Sequence, residues 1–379
     1  MQTKRITIIG LGLIGGSFGL ALNKRNNKKH SFELVGYDLN IVSIRQAVSK
    51  GAVHWGTTGL KLAVEGSDLI ILAVPVGQMK ETVKNILPYL KKGCIIFDTG
   101  STKEKPVQEI SRLLPADIYF VGGHPMAGSE RSGISGAHPY LFENAIFVIT
   151  PGDNALPDIL DPVVDLIELT GAKPKIMSPR IHDQAVAGVS HLPYLIAVNL
   201  VETVHELSQT IEDAPLLAAG GFRDTTRIAG GDAVMWRDIA LSNQENLIRM
   251  IELFQEKLAQ MTAYLKQGDG ESLRQIFISA KKHREEIPIT YKGVLPEMNE
   301  LLVTIPDQPG MLALITGYLG QRGINIAEIE VLRVREHREG TIRLAFQRKD
   351  ERDKAIAILK EQGLSVNWGH ATHDQQQEL

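Results

Sequence analysis

The stretch that most constrains this 379-residue chain lies near its start: RITIIGLGLIGGSFGLALNKR, a β-branched apolar run followed at once by Gly10, Gly12 and Gly15 and then by apolar residues at helical spacing. A strand that passes into a helix through glycines spaced G-x-G-x-x-G admits few folds. Gly10 permits the tight turn, Gly12 lets main chain approach a pyrophosphate, and Gly15 lets helix and strand pack closely, while the free N–H groups at Leu13 and Ile14 face the anion. The next strand-like run, FELVGYD, ends in Asp38, whose carboxylate can accept the ribose hydroxyls of an adenosine. Asp38 follows Gly10 by 28 positions, more than the usual ~20, and the polar NKRNNKKHS absorbs the excess. The competing reading of Asp38 is a helix N-cap, because helical pattern resumes at IVSIRQAV. A 2′-phosphate would meet a like charge here, with only Leu39 and Asn40 beside it, so NAD is expected rather than NADP.

Buried-strand runs continue at DLIILAV and CIIFD, separated by helical pattern. This predicts an α/β fold, a Rossmann-type doubly wound parallel sheet. The strand ends at Val74–Pro75 and at DTGSTK, with Ser101, should line its ligand crevice. The 41 basic and 44 acidic residues nearly cancel and form no basic block, so neither nucleic acid nor an anionic membrane is an expected partner and a small molecule is. No apolar run is read as long enough to span a bilayer. The first residues lack a secretory pattern, and the single cysteine, Cys94, reads as a small apolar side chain in a buried strand; a cytoplasmic setting fits both. His182 and His191 stand nine positions apart and so do not share a helical face as a zinc pair would; no metal site is expected.

GGHPMAGSE places His124 between glycines and a proline, in a segment read as leaving its backbone uncovered and the imidazole exposed. SPRIHDQAVAGVSHLPYLIAVNLVETVHEL reads as a central, largely buried helix, with His182 a satisfied core histidine. The amphipathic runs NQENLIRMIELFQEKLAQMTAYLKQGD and ESLRQIFISAKKHREEIP follow, and an all-helical segment with so much apolar face commonly completes its core with a second copy. A homodimer through residues 180–290 is expected. The chain thus divides into 1–172, an NAD-binding domain, 173–292, a helical substrate and dimerisation domain, and, after a linker at ITYKGVLPEMN, a module at 298–371 with the order βαββαβ, the ferredoxin-like plan.

GLGLIGGS, DTGSTK, GGHPMAGSE, SHLPYL and GGFRDTTRIAGGDAVMW together, in order and spacing over about the first 290 residues, resemble prephenate dehydrogenase, an enzyme family of tyrosine biosynthesis. The resemblance implies oxidative decarboxylation of prephenate to 4-hydroxyphenylpyruvate with NAD. It also implies that His124 is the general base for the C4 hydroxyl and that Ser101 orients it beside the nicotinamide. Arg227 matches the family arginine on the ring carboxylate. Arg223, four residues away and expected on the same helical face, matches a cationic position nearer the entrance. Ser129, Glu130 and Asp224 match polar and acidic residues of the pocket, Trp236 an aromatic wall, and Ser190 and His191 the segment near the substrate. Tyr194 stands where many relatives carry a second histidine, which weakens any transfer of that histidine's role.

DQPGMLALI and GINI make the C-terminal module resemble an ACT domain, an amino-acid-sensing module. In paired ACT domains an effector sits between the strand-one loop and a neighbouring helix, which makes Asp307, Gln308, Gly310 and Asn325 the places where one would bind, with turn chemistry the competing reading of each. Tyrosine, the end product, is the obvious effector, yet it shares the phenol and side-chain carboxylate of the reaction product and can compete in the catalytic pocket instead. Arogenate dehydrogenase and a β-hydroxyacid dehydrogenase are the rival enzymes, although the second needs a central-helix lysine that SHLPYLIAVNLV lacks. A nucleotide- and amino-acid-binding sensor with a degenerate site is the non-catalytic rival, and the presence of His124 and Arg227 counts against it.

Overall fold

The computed structural model describes residues 3–26, 31–128, 133–152, 157–287, 299–306, 308–332 and 339–367, in two compact units, Met1–Gly293 and Val294–Leu379. The first begins with β1 (Lys4–Ile9), α1 (Leu13–Arg25), β2 (Phe32–Tyr37), α2 (Ile41–Ser49), β3 (Trp55–Thr57), α3 (Leu60–Val64), β4 (Leu69–Leu72), α4 (Val76–Ile86), β5 (Ile95–Asp98), α5 (Glu104–Ser111), β6 (Tyr119–Pro125), β7 (Ile146–Pro151), α6 (Pro157–Leu169) and β8 (Lys173–Ile176). The sheet order is β3-β2-β1-β4-β5-β6-β7-β8. β1 to β6 run parallel; β1, β2, β4 and β5 fall on the predicted apolar runs, whereas β3 and β6, the strand that carries His124, do not. β7 pairs antiparallel with β6, and β8 runs parallel to β7. The sheet therefore passes residue 172, where the sequence reading ended the first domain; the half-polar KPKI carries no apolar run to mark a strand.

Apolar side chains fill both faces of the sheet. On one, Phe18, Phe97, Phe142 and Phe147 pack with ring centroids 5.2 to 6.2 Å apart in edge and tilted geometries. On the other, Ile9, Val35, Ile70, Leu72 and Val83 belong to one buried cluster with Cys94, whose thiol burial pushes up to about 12. That thiol is core, not a nucleophile. Because β1 lies between β2 and β4, the chain turns away from it in both directions and leaves a crevice above its C-terminal end.

The rest of this unit is helical: α7 (Pro179–Val186), a π turn (Ala187–His191), α8 (Leu192–Ser208), α9 (Gly220–Thr226), α10 (Ala233–Ser242), α11 (Gln244–Gln267) and α12 (Gly270–Glu286). The π turn has a local cause. Pro193 has no N–H for the α-helical ladder, and the Leu192 N–H reaches back five residues to the Ala187 carbonyl. Pro179–Ser208 is thereby one continuous rod, the one helix among the described residues long and apolar enough to cross a membrane, which corrects the expectation that no run reaches that length. It is also less buried than expected. Val189, Leu200, Val201 and Leu207 are exposed in the single chain, as are Ile248, Leu253 and Leu258 on α11.

The second unit contains β9 (Asn299–Pro306), α13 (Met311–Gln321), β10 (Glu328–Leu332), β11 (Glu339–Phe346), α14 (Lys349–Glu361) and β12 (Ser365–Asn367). Its antiparallel sheet runs β10-β11-β9-β12 over a core of Val303, Ile315, Leu319, Leu344, Phe346 and Leu359, the ferredoxin-like plan that βαββαβ predicts.

Candidate active site

Three strand-to-helix turns meet at the crevice. Gly10 has φ +92°, and a Cβ there would lie 2.5 Å from the Ala73 carbonyl oxygen; a Cβ at Gly15 would lie 2.0 Å from the Gly10 oxygen. Both positions therefore require glycine for the turn and for the close approach of α1. Gly12 differs: nothing lies within 4 Å of its absent Cβ, so its main chain faces open space where a phosphate can approach. It caps α1 without a side-chain bond, leaving the Leu13 and Ile14 amides at the positive end of the helix. Val74 reaches this crest from β4, its Cγ1 3.2 Å from the Gly10 Cβ position, and Pro75 caps α4 beside it.

Asp38 ties the crest together. One carboxylate oxygen accepts the Leu11 N–H at 2.9 Å and the other the Asn40 N–H at 2.8 Å. The N-cap of α2 is Asn40, which accepts from the Val42 N–H, so the capping alternative for Asp38 is excluded. Each oxygen keeps a second lone pair for a ribose hydroxyl.

His124 lies on β6, opposite Val148 of β7, and it is half-buried, not displayed on an open loop. The glycines before it serve packing: a Cβ at Gly123 would lie 2.4 Å from the Phe97 ring and one at Gly122 2.2 Å from the Thr150 hydroxyl. Beneath them Asp98 accepts the Gly123 N–H at 2.9 Å. Lys103 donates to Asp98 and, at 2.6 Å, to the Gly123 carbonyl. Both members of this ion pair are 0 % exposed, and burial, opposed by Asp98, lowers the Lys103 ammonium from its ordinary value. A buried pair of this kind clips β6 to β5 directly under the imidazole.

The ring contact His124 makes is to His182, not to Ser101. Ser101 is half-buried in the β5–α5 turn, and among the described residues no hydrogen bond joins it to His124. The His124 Nδ1 lies 2.8 Å from the Nε2 of His182, and the His182 Nδ1 lies 2.7 Å from the Asp183 carboxylate. Asp183 in turn accepts the main-chain N–H groups of Lys103 and Glu104, each at 2.8 Å. The start of α7 packs against α5, so a histidine reaching from the helical side meets the β6 imidazole first. Asn243 extends the network: its side-chain amide donates to the Asp183 carbonyl at 2.7 Å and lies 3.2 Å from the His191 Nδ1. The π turn thus brings His182 and His191, nine residues apart, into one network. Among the described residues no group of three or more His, Cys, Asp or Glu is arranged to hold a metal ion.

Burial, reinforced by His182, Lys103 and His191, holds the His124 imidazole well below its ordinary 6.5. The same cause, burial first, takes His191 to about 4. With Nδ1 facing the Asn243 amide, His191 carries its proton on Nε2, and that atom is a buried donor with no partner among the described residues. Beside it Tyr194 stacks on Trp236, with ring centroids 3.6 Å apart and planes 8° from parallel. Gly231 makes room for the pair, since its Cβ would lie 2.5 Å from the indole nitrogen.

Arg223 and Asp224 lie exposed on α9, while Arg227 begins the 3-10 turn Arg227–Gly230. The two arginines do not share one α-helix, because α9 ends at Thr226 and the chain tightens into a 3-10 turn, closed by the Gly231 N–H on the Ile228 carbonyl. Ser190 is half-buried in the π turn. Ser129 and Glu130 lie outside the described residues, as does Asp307 of the second unit. There Gln308 and Gly310 sit where β9 meets α13, but Asn325 precedes β10 at the opposite end of the sheet, where Glu328 pairs with Ala345. The length of α13 separates them within one module, so a shared effector site would need a second module, as the pairing of ACT domains implies.

A glycine cradle after β1 with its acidic partner after β2, and an imidazole at the carboxyl end of β6 in the same sheet, define a nucleotide-dependent oxidoreductase of the doubly wound class. Family models agree: the prephenate dehydrogenase nucleotide-binding domain matches residues 18–176, the prephenate dehydrogenase dimerization domain 178–279 and the ACT domain 299–363. A prephenate dehydrogenase of Bacillus subtilis is 34% identical over 351 residues, 92% of this chain and 94% of that protein. The crystal structure of prephenate dehydrogenase from A. aeolicus in complex with hydroxyphenyl propionate and NAD+ is 34% identical, with a TM-score of 0.71 over 76% of this chain and 99% of that one. For Synechocystis arogenate dehydrogenase the values are 29%, 0.65, 74% and 99%. The chain belongs to the prephenate dehydrogenase family.

A base must be unprotonated to act, so a depressed imidazole pKa extends activity toward acid. The acid limb of the kcat/KM profile is expected below pH 6.5. A limb at or above that value would show that His124 is not shielded as its burial requires.

Proposed function

We propose that this chain catalyses the NAD-dependent oxidative decarboxylation of prephenate to 4-hydroxyphenylpyruvate in tyrosine biosynthesis. The observation that carries the reading is the half-buried His124, held below its ordinary pKa at the carboxyl edge of the sheet, the same edge that carries a cradle fitting a dinucleotide diphosphate at Gly10–Gly15 and a ribose at Asp38. NAD, held by those residues with Val74, Pro75 and Ser101, supplies the acceptor for the hydride leaving C4. His124 takes the proton of the C4 hydroxyl, and the resulting ring carbonyl draws in the electrons released as carbon dioxide leaves. The product is aromatic, so that second step needs little assistance.

Arg227, with Arg223 nearer the entrance, offers guanidinium forks to the two carboxylates, and Ser129, Glu130 and Asp224 hold and gate that end. Ser190 and the unpartnered His191 Nε2–H face the substrate from the π turn, and Trp236 with Tyr194 forms its apolar wall. The stacking of Tyr194 on Trp236 makes it a wall residue rather than a replacement for a carboxylate-binding histidine. Residues 1–172 with β8 bind the dinucleotide, 173–292 bind substrate and a second copy, whose helices would cover the exposed faces of α8 and α11, and 298–371 form the ACT module. The setting is the cytoplasm. Tyrosine acts as inhibitor at the catalytic pocket, because it shares the phenol and side-chain carboxylate of the product, with the ACT module contributing assembly or a conformational brake.

Offered prephenate, arogenate and a simple β-hydroxyacid, the enzyme should form NADH fastest with prephenate. His124→Asn should lower kcat by about two orders of magnitude or more while substrate still binds; retained turnover would remove His124 as the base. Arg227→Ala should raise the KM for prephenate at least tenfold, the scale of a lost charged hydrogen bond of roughly 1.5–3 kcal/mol, and an unchanged KM would take it out of the carboxylate site. A chain stopped after residue 293 should keep its inhibition by tyrosine, and loss of inhibition would transfer the effector to the ACT module.

A further inference from the structure

We propose that His182 and Asp183 are positioning residues for the reaction: they set the tautomer of His124, leaving its Nε2 as the basic atom, and compensate the charge it gains. The inference rests on the reading of His124 as the base. It follows from counting donors and acceptors. The Asp183 carboxylate takes the main-chain N–H groups of Lys103 and Glu104, an arrangement that suits an ionised, acceptor-only group. Its third partner, the His182 Nδ1 at 2.7 Å, must then carry a proton. A neutral His182 has its lone pair on Nε2, which lies 2.8 Å from the His124 Nδ1. His124 therefore donates from Nδ1, and its Nε2 is bare.

The proton balance closes on this chain. As the hydride departs C4 with its electron pair, the C4 O–H bond breaks, its electrons form the carbonyl, and the proton bonds to His124 Nε2. The imidazolium keeps its Nδ1–H bond to His182, and the negative charge of Asp183 lies one ring away. The proton passes to solvent when product leaves.

A histidine that merely filled the core would not need this alignment. His182 and Asp183 are each 1 % exposed, both ring nitrogens of His182 are engaged, and the carboxylate that fixes one of them also pins the turn carrying Ser101 and Lys103. The charged and titratable groups facing His124 come from every side: Asp98 and Lys103 from β5 and its turn, His182 and Asp183 from α7, His191 from the π turn. Asp98 is already matched by the Lys103 ammonium. Asp183 is left as the anion available to balance a proton on His124.

The test uses the full-length protein with NAD and prephenate. His182→Leu should fold and bind both ligands within about threefold of native affinity, yet lose about 100-fold in kcat, the scale of an imidazole left without its orienting partner. His182→Gln, whose side-chain oxygen can accept the His124 Nδ1–H, should recover at least tenfold of that loss. Asp183→Asn removes the compensating charge, so His124 should protonate less readily and the acid limb of kcat/KM should move to lower pH by about one unit. Native kcat in His182→Leu, or a Gln variant no better than the Leu variant, overturns the proposal. Should the Leu variant not fold, the Asp183→Asn profile decides, and an unmoved limb overturns it. His124→Asn separates the two claims: if it is active the base reading fails, and if it is inactive while His182→Leu turns over normally, only the positioning role fails.

Discussion

The carboxylate of Asp183 is the joint on which the active-site half of the molecule depends. Two of its hydrogen bonds come from main chain just past β5, a third from the ring that meets His124, and the peptide carbonyl of the same residue receives the Asn243 amide. One residue thus ties the sheet, the first helix of the helical segment and the α10–α11 junction together. Carboxylate bonds to main-chain donors are among the stronger ones available in a protein, and they fix position as well as energy, because main chain cannot rotate out of the contact.

Below it stands a second constraint of a different kind. The Lys103 and Asp98 side chains are fully enclosed, and a pair of opposite charges in such a place is costly unless every donor and acceptor is met. Here Lys103 meets a carboxylate and the Gly123 carbonyl, and Asp98 also takes the Gly123 and Gly100 N–H groups. The glycines at 122 and 123 follow from this packing. Any side chain at either place would displace the neighbouring strand, so the strand bearing His124 is held on three sides before any ligand arrives.

Much of this could be read from the chain itself where the signal was local. Gly10, Gly12 and Gly15 mark a strand, turn and helix by their spacing alone, and Asp38 closes the next strand; the parallel strands β1, β2, β4 and β5 followed from apolar runs. What escaped was non-local. Nothing near His182 indicates that residue 124 lies against its ring, and the HD dipeptide looks like an ordinary helix start until Lys103 and Glu104 are seen to donate to it. Lys103 entered only as the last residue of DTGSTK, because what encloses it, Gly122 and Gly123 of β6 among others, lies farther along the chain. The glycines flanking His124 were read as room for a ligand, when in fact they are space taken by Phe97 and Thr150. β8 was missed for a related reason: edge strands need little apolar character.

The π turn at Ala187–His191 has a wider meaning for how such a chain can change over time. A widened turn inserts one residue into a rod that otherwise keeps step at 3.6 residues per revolution. Upstream of it, the orientation of α7 is dictated by the sheet; downstream, α8 carries a broad oily surface whose bearing is dictated by whatever covers it. The extra residue uncouples those two demands, so that either half can drift in sequence without rotating the other. Removing it would swing every side chain beyond His191 by about 100°, over a quarter of a revolution, and no single substitution could undo that.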